Sequence, residues 1–374
     1  MSDVHIVHLT SVHKRQDTRV FVKQCSSLAK TFGKVTLVVA DGLGNEVKNG
    51  VNIIDLGKPA NKFVRLVFTS LKIFRVALSL KADLYQYHDP ELTPIALMLR
   101  VFGKKVVYDV HEDVPKQVLR KFWIPFYVAK PLSFIVTIAE SIAAKILSGV
   151  ITVTPHIAQR FSKNNIALVR NYPDLEEFSE LQNIAFEDKE MGSLIYVGAI
   201  TKERGIMQMV DALESTPEYV RLHLIGPFFP AALEQEVRAK NGWQKVVYYG
   251  WQDRDKVVEI MRKCQIGLVT LQPTGDYEVA YPVKMFEYMA AGIAVVSSNF
   301  ELYQGIVDTA KVGVCVDPES PTEIALGINS LLSKPDSLIE MGNNGKAAVM
   351  ENYNWACELK TLQAFYKAIL KVKN

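Results

Sequence analysis

A chain of 374 residues, 49% of them hydrophobic, is too long for one ordinary domain of roughly 100–150 residues and apolar enough to fill two cores. The 43 Lys and Arg against 40 Asp and Glu leave a net charge of +3, so total charge argues against nucleic acid as a partner and any basic character must be local. The four cysteines, Cys25, Cys264, Cys315 and Cys357, are scattered without a Cys-x-x-Cys pair, as expected for reduced thiols in a cytoplasmic protein.

The first residues, MSDVHIVHLT, run straight into a strand-like stretch without a basic flank or a long apolar core, so no signal peptide is expected. His5 and His8 fall within that strand. The next loop, TSVHKRQDTR, offers Asp17 as a helix cap or an acceptor ligand, and Arg19 as a site residue or a surface residue. VHIVHL, KVTLVVA, VNIIDL, DLYQYH, KKVVYDV and GVITVT read as strands. Between them, residues 61–80 carry a polar stripe of Lys62, Arg65, Thr69, Lys72, Arg75 and Ser79 on an otherwise apolar helix. Residues 116–131 mix Lys116, Arg120, Lys121 and Lys130 with Trp123, Phe126 and Tyr127. Both stretches suit either ordinary helix packing or the inner face of a membrane, with cations reaching lipid phosphates. The most apolar run, PLSFIVTIAESIAAKILSGV, is broken by Glu140 and Lys145, so no spanning helix is expected.

The rhythm breaks at residues 170–192, acidic, with Pro173 and no clean period, and this reads as a linker. SLIYVG, VRLHLIG, KVVYYG, QIGLVTL, IAVVSS and VGVCVD then read as a second set of strands. Apolar strands alternating with helical patterns predict parallel sheets buried on both faces. The expected fold is α/β: two doubly wound, Rossmann-like domains over residues 1–169 and 193–350. A C-terminal amphipathic helix, 351–374, is expected to pack back across them. Ligands of such sheets bind beyond the carboxyl ends of the strands, which makes an inter-domain cleft the expected site.

Two segments carry the chemistry. In YPVKMFEYMAAG, Pro282 suits a first helical position, and Lys284 and Glu287 share one helix face. A lysine in a first helical turn opposes the helix dipole unless an anion sits there. The pair therefore reads either as a diphosphate and ribose clamp, with Tyr281 and Pro282 beside it, or as an i,i+3 surface salt bridge. In YVGAITKERGI, Gly198 and Gly205 let the backbone approach a ligand, and Arg204 can take phosphate oxygens bidentately. No Gly-x-Gly-x-x-Gly follows the first strand, which disfavours a nicotinamide enzyme. No Asp-x-Asp loop or ligand-like cluster of histidines is visible in the sequence.

These segments, with LHLIGPF, HDPELTPIALML and YDVHED, resemble the retaining glycosyltransferases of family 4, with the GT-B fold, along nearly the whole chain. The resemblance is to members that build bacterial surface polysaccharides, of the O-antigen or capsule type. It implies that Glu287 binds the ribose, that Arg204 neutralises the diphosphate, and that His111 stands near the donor sugar. It implies metal independence, with Arg204, Lys284 and the helix N-terminus stabilising the leaving group. The implied reaction moves a hexose or N-acetylhexosamine from a nucleotide sugar, UDP before GDP, to a lipid-linked saccharide with retention. Three positions depart from the family pattern. Val279 stands where a glutamate is usual, with Glu278 one step away; Pro282 replaces a glycine; Ala199 replaces an arginine, for which Lys284 is expected to compensate. A nucleotide-sugar epimerase of the same fold and a non-catalytic two-domain binding protein are the alternatives.

Overall fold

The computed structural model describes residues 4–111, 113–120, 125–161, 165–181 and 188–371. The chain divides into one unit of Met1–Asn171 with Ala356–Asn374, and a second of Tyr172–Trp355. In the first, β1 (His5–Leu9), β2 (Lys34–Val39), β3 (Glu46–Lys48), β4 (Val51–Asp55), β5 (Leu84–Tyr87), β6 (Val106–Val110), β7 (Gly149–Thr152) and β8 (Ile166–Leu168) form one sheet. Its order is β3-β4-β2-β1-β5-β6-β7-β8. Every residue of β1, β5, β6 and β7 is buried. Helices cover both faces of such a sheet, and that is why these strands are buried along their whole length instead of alternating.

The second unit holds β9 (Ser193–Val197), β10 (Arg221–Ile225), β11 (Val246–Gly250), β12 (Ile266–Val269), β13 (Ala294–Ser298) and β14 (Gly313–Val316). Their order is β11-β10-β9-β12-β13-β14, and all pairs are parallel. In both sheets the strand order reverses once, between β1 and β5 and between β9 and β12. At such a switch point the loops beyond the strand ends part, and a ligand crevice opens.

Two strands escape the periodicity. β3 pairs antiparallel with β4 through Asn49-Gly50, both at positive φ, the twist-matched hairpin turn that Asn-Gly favours. β8 is three residues long and pairs only with β7.

The linker expected over 170–192 is not one. Tyr172, Phe178 and Leu181 are buried in the core of the second unit, with Phe286 and Met289. The change of unit falls at the start of that stretch, at Asn171–Tyr172, and again at Trp355–Ala356. The acidic residues masked that apolar line, because Glu176, Glu177 and Glu180 alternate with it. Part of the stretch, 182–187, lies outside the described residues. The helix Trp355–Leu370 places its C-terminal portion in the first unit. There the Tyr366 ring packs on Phe32 at 6.1 Å and its hydroxyl donates to Gln86 Oε1.

Candidate functional site

In the second unit the site begins where β9 ends. Gly198 sits at φ +133°, and a Cβ there would lie 2.9 Å from Arg204 Nη1 and 3.6 Å from Lys284 Nζ. Only bare backbone leaves room for both cations. Thr201 Oγ1 accepts from Arg204 N at 3.2 Å and fixes the turn that carries the guanidinium. Lys284 arrives from the helix Val283–Ala290. Its stem is partly accessible, but Nζ is buried 3.7 Å from the centroid of the Tyr196 ring and has no hydrogen-bond acceptor. Burial, and next the Arg204 charge, hold the ammonium well below its ordinary value, with Glu287 pulling the other way. A buried ammonium whose three donors lack an acceptor is costly, so it sheds its proton or takes an anion.

The i,i+3 pair weighed for Lys284 and Glu287 does not form. Glu287 Oε1 instead accepts from Arg254 Nη2 at 2.8 Å, and Arg254 Nε donates to Glu177 Oε2 at 2.8 Å. The guanidinium also lies over the Phe178 ring at 5.1 Å. Sequence reasoning missed Arg254. It opens the helix Arg254–Lys263, whose cap Asp253 accepts from Lys256 N at 2.9 Å. A cation in a first helical turn was the signal available, the same one that singled out Lys284. Pro282 is the cap of its helix, not the first helical residue. Tyr281 packs edge-on against Tyr172 at 6.1 Å. Glu278 is turned to the backbone N–H of Gly275, with Val279 in the same turn.

In the first unit, the expectation that histidines do not cluster is wrong. His8 on β1, His13 in the loop after it, His88 after β5 and His111 after β6 converge at the switch point. Their scatter along the chain hid this. His8 Nδ1 lies 3.0 Å from His88 Nε2, and His88 Nδ1 3.0 Å from Asp109 Oδ2. His111 stands 3.4 Å from His13 Nε2 through its own Nε2, and 3.9 Å from Asp109 Oδ2 through Nδ1. Burial pushes His8 and His88 down. The hydrogen bond to Asp17 raises His13 against its burial.

Asp109 is fully buried and takes Arg19 at 2.7 and 3.2 Å and Gln24 at 2.9 Å. Its own burial would raise it, but Arg19 and the imidazoles hold it well below the carboxylate range. Arg19 is thus neither a surface residue nor a free site cation. Asp17 is the helix cap, accepting from Arg19 N at 2.9 Å and Val20 N at 2.8 Å. His88, Asp109 and His111 offer ligand atoms within 4.8 Å of one another beside a cavity of about 20 Å³. They could hold a metal ion, although Arg19 already neutralises the carboxylate. Glu112 of this motif lies outside the described residues. Arg204 and Lys284 are therefore brought together, Glu287 is tied to Arg254, and His111 belongs to the other unit.

Residues 177–348 match the model of the family described as glycosyl transferases group 1. An uncharacterized glycosyltransferase of Methanocaldococcus jannaschii is 24% identical over 200 residues, covering 52% of this chain and 50% of its own. The chain spans about half the length of the curated relatives it matches. Among solved structures, sucrose-phosphate synthase from Thermosynechococcus elongatus superposes with a TM-score of 0.77 at 16% identity, over 99% of this chain and 100% of its own. HepE of Anabaena, in complex with UDP, gives 0.75 at 14% identity over 98% and 100%. At these identities the likeness establishes the fold, GT-B with two Rossmann-like α/β domains. The matched segment opens at Glu177, the partner of Arg254, inside the stretch that reads as a linker. Residues 177–348 thus resemble the group 1 glycosyltransferase family, within a chain of GT-B fold.

Proposed function

We propose that the protein is a retaining glycosyltransferase that moves a hexose or N-acetylhexosamine from a nucleotide sugar, UDP before GDP, to a lipid-linked saccharide in the cytoplasm, in surface-polysaccharide synthesis. One observation supports it above all: Lys284 Nζ, buried beside Arg204 over the bare backbone of Gly198 with no acceptor. A diphosphate supplies the missing acceptors, and both cations then face the oxygen on which charge develops as the sugar leaves. No metal is required for that task in this reading. The bond from C1 to the diphosphate oxygen breaks. The acceptor hydroxyl oxygen bonds to C1 on the same face, and its proton passes to the departing phosphate. Glu287, oriented by Arg254, accepts from the ribose hydroxyls. His111, held near His13 and Asp109, orients the sugar.

Calorimetric titration of UDP and GDP, with chelator present, tests the clamp. UDP is expected to bind the wild type. Glu287→Ala is expected to bind it about tenfold to a hundredfold more weakly, the worth of a hydrogen bond to a charged group. Equal affinity in the variant would remove the ribose role, and no binding of either nucleotide would leave the diphosphate site without support as well. Transfer of labelled sugar to a lipid-linked saccharide, but not to water, separates a transferase from an epimerase or a binding protein.

A further inference from the structure

We infer that one face of the first unit docks on an anionic lipid bilayer, with the helix Phe126–Ile146 lying in the plane of the membrane. Its ground is independent of the transferase reading. By length and composition this helix could cross a membrane, and Glu140 and Lys145 are the residues that argued against a spanning helix. The structure turns Glu140 inward. It is 5% exposed, takes Arg160 Nη2, and accepts from the Tyr108 hydroxyl at 3.1 Å. It joins Ala129, Ser133, Ala143 and Ala144 in a narrow buried line. The outward side is left to Phe126, Phe134, Ile135, Ile138 and Ile142, with Phe134 66% exposed.

The neighbouring helices continue this face. Ser70–Leu80 packs on Thr93–Val101, which packs on Phe126–Ile146. Phe74 meets Phe102 at 5.8 Å, and Arg100 Nε donates to the Ile146 carbonyl at 2.9 Å. Most of the exposed large apolar side chains among the described residues lie on these helices or their ends, Phe63, Leu66 and Phe68 included. The expected polar stripe of 61–80 is only partly outward: Thr69 is buried and Arg65 is paired with Glu91 at 2.8 Å. Lys62, Lys72, Arg75, Lys130 and Lys145 remain exposed. No carboxylate is exposed on Lys62–Leu80, Thr93–Val101, Val114–Arg120 or Phe126–Ile146, among the described residues. Lys121 and Trp123 lie outside them.

A soluble surface seldom exposes so continuous an apolar face. Helices that expose cations and no carboxylate complement lipid phosphate and not a mixed-charge protein surface. The helix cannot span, because crossing would pull Glu140 out of its pairing with Arg160 and Tyr108. Lying flat, it buries its apolar side at the acyl boundary.

Co-sedimentation with vesicles decides the matter. The wild type is expected to pellet with phosphatidylcholine–phosphatidylglycerol vesicles, less with phosphatidylcholine alone, and less as salt rises. Ile135→Glu/Ile142→Glu is expected to lose about tenfold or more of that partitioning. Leu326→Glu, on an exposed apolar residue of the second unit, is expected to keep it. Thermal melts confirm that each variant folds. A wild type that stays in solution with anionic vesicles at low salt overturns the inference, whatever the variants do. So does a wild-type dimer that the double variant dissociates without any vesicle binding, which would assign the face to a second copy of the chain.

Discussion

Lys284→Met is expected to lower sugar transfer by about 10²- to 10³-fold, the usual cost of removing one preorganised donor from a developing negative charge. UDP affinity is expected to fall with it. Stability is expected to hold or rise, since methionine fills the same space without a buried ammonium that lacks an acceptor. That combination separates a ligand role from a packing role. A lowered melting temperature with unchanged UDP affinity would make Lys284 structural.

The same geometry predicts a proton linkage. In the free protein the ammonium is held well below 10.5 by burial and Arg204, and a bound diphosphate would restore it. Binding then takes up a proton between the lowered free value and the restored bound one. Affinity falls as pH rises through that interval. Titration in buffers of different ionisation enthalpy reads the uptake directly. Lys284→Met should abolish it.

Asp109→Asn is expected to destabilise the first unit by about 3–5 kcal/mol, because it leaves Arg19 buried without its counter-charge. Arg19 gives its bonds to Asp109 and to the Val169 carbonyl at 3.1 Å, and neither partner is accessible to water. Arg19→Met/Asp109→Leu is expected to recover much of that loss, and urea unfolding of the four species closes the cycle. The pH dependence has a definite sign. A carboxylate depressed in the folded state contributes stability that is complete above its unfolded value of about 3.9. That stability is lost as pH falls through the depressed value. The acid limb should flatten in Asp109→Asn. An unchanged limb, or a loss under about 1 kcal/mol, would show that Asp109 is not the charge on which this network closes.

Much of this protein is legible along the chain because its signals are local. Continuous apolar strands between helical patterns specify two parallel sheets, and Asn49-Gly50 carries its own turn geometry. Lys284 and Arg204 stand out because a cation beside a helix start needs an explanation that short-range electrostatics can pose. What the chain does next is not local. Tyr172, Phe178 and Leu181 look like linker residues until the core of the second unit closes over them. Glu287 could not be assigned to Arg254, 33 positions away, since ion pairs across elements leave no periodic trace. His8, His13, His88 and His111 are ordinary singly, and only the return of three strands to one sheet edge makes them neighbours. Glu140 reads as a break in a spanning segment in one dimension and is turned inward in three, because a helix can hide a charge on one face and leave the other apolar. Sequence by itself determined the elements, the sheets and the two cations. Tertiary structure decided which charges are paired, which are left without a partner, and which faces meet the surroundings.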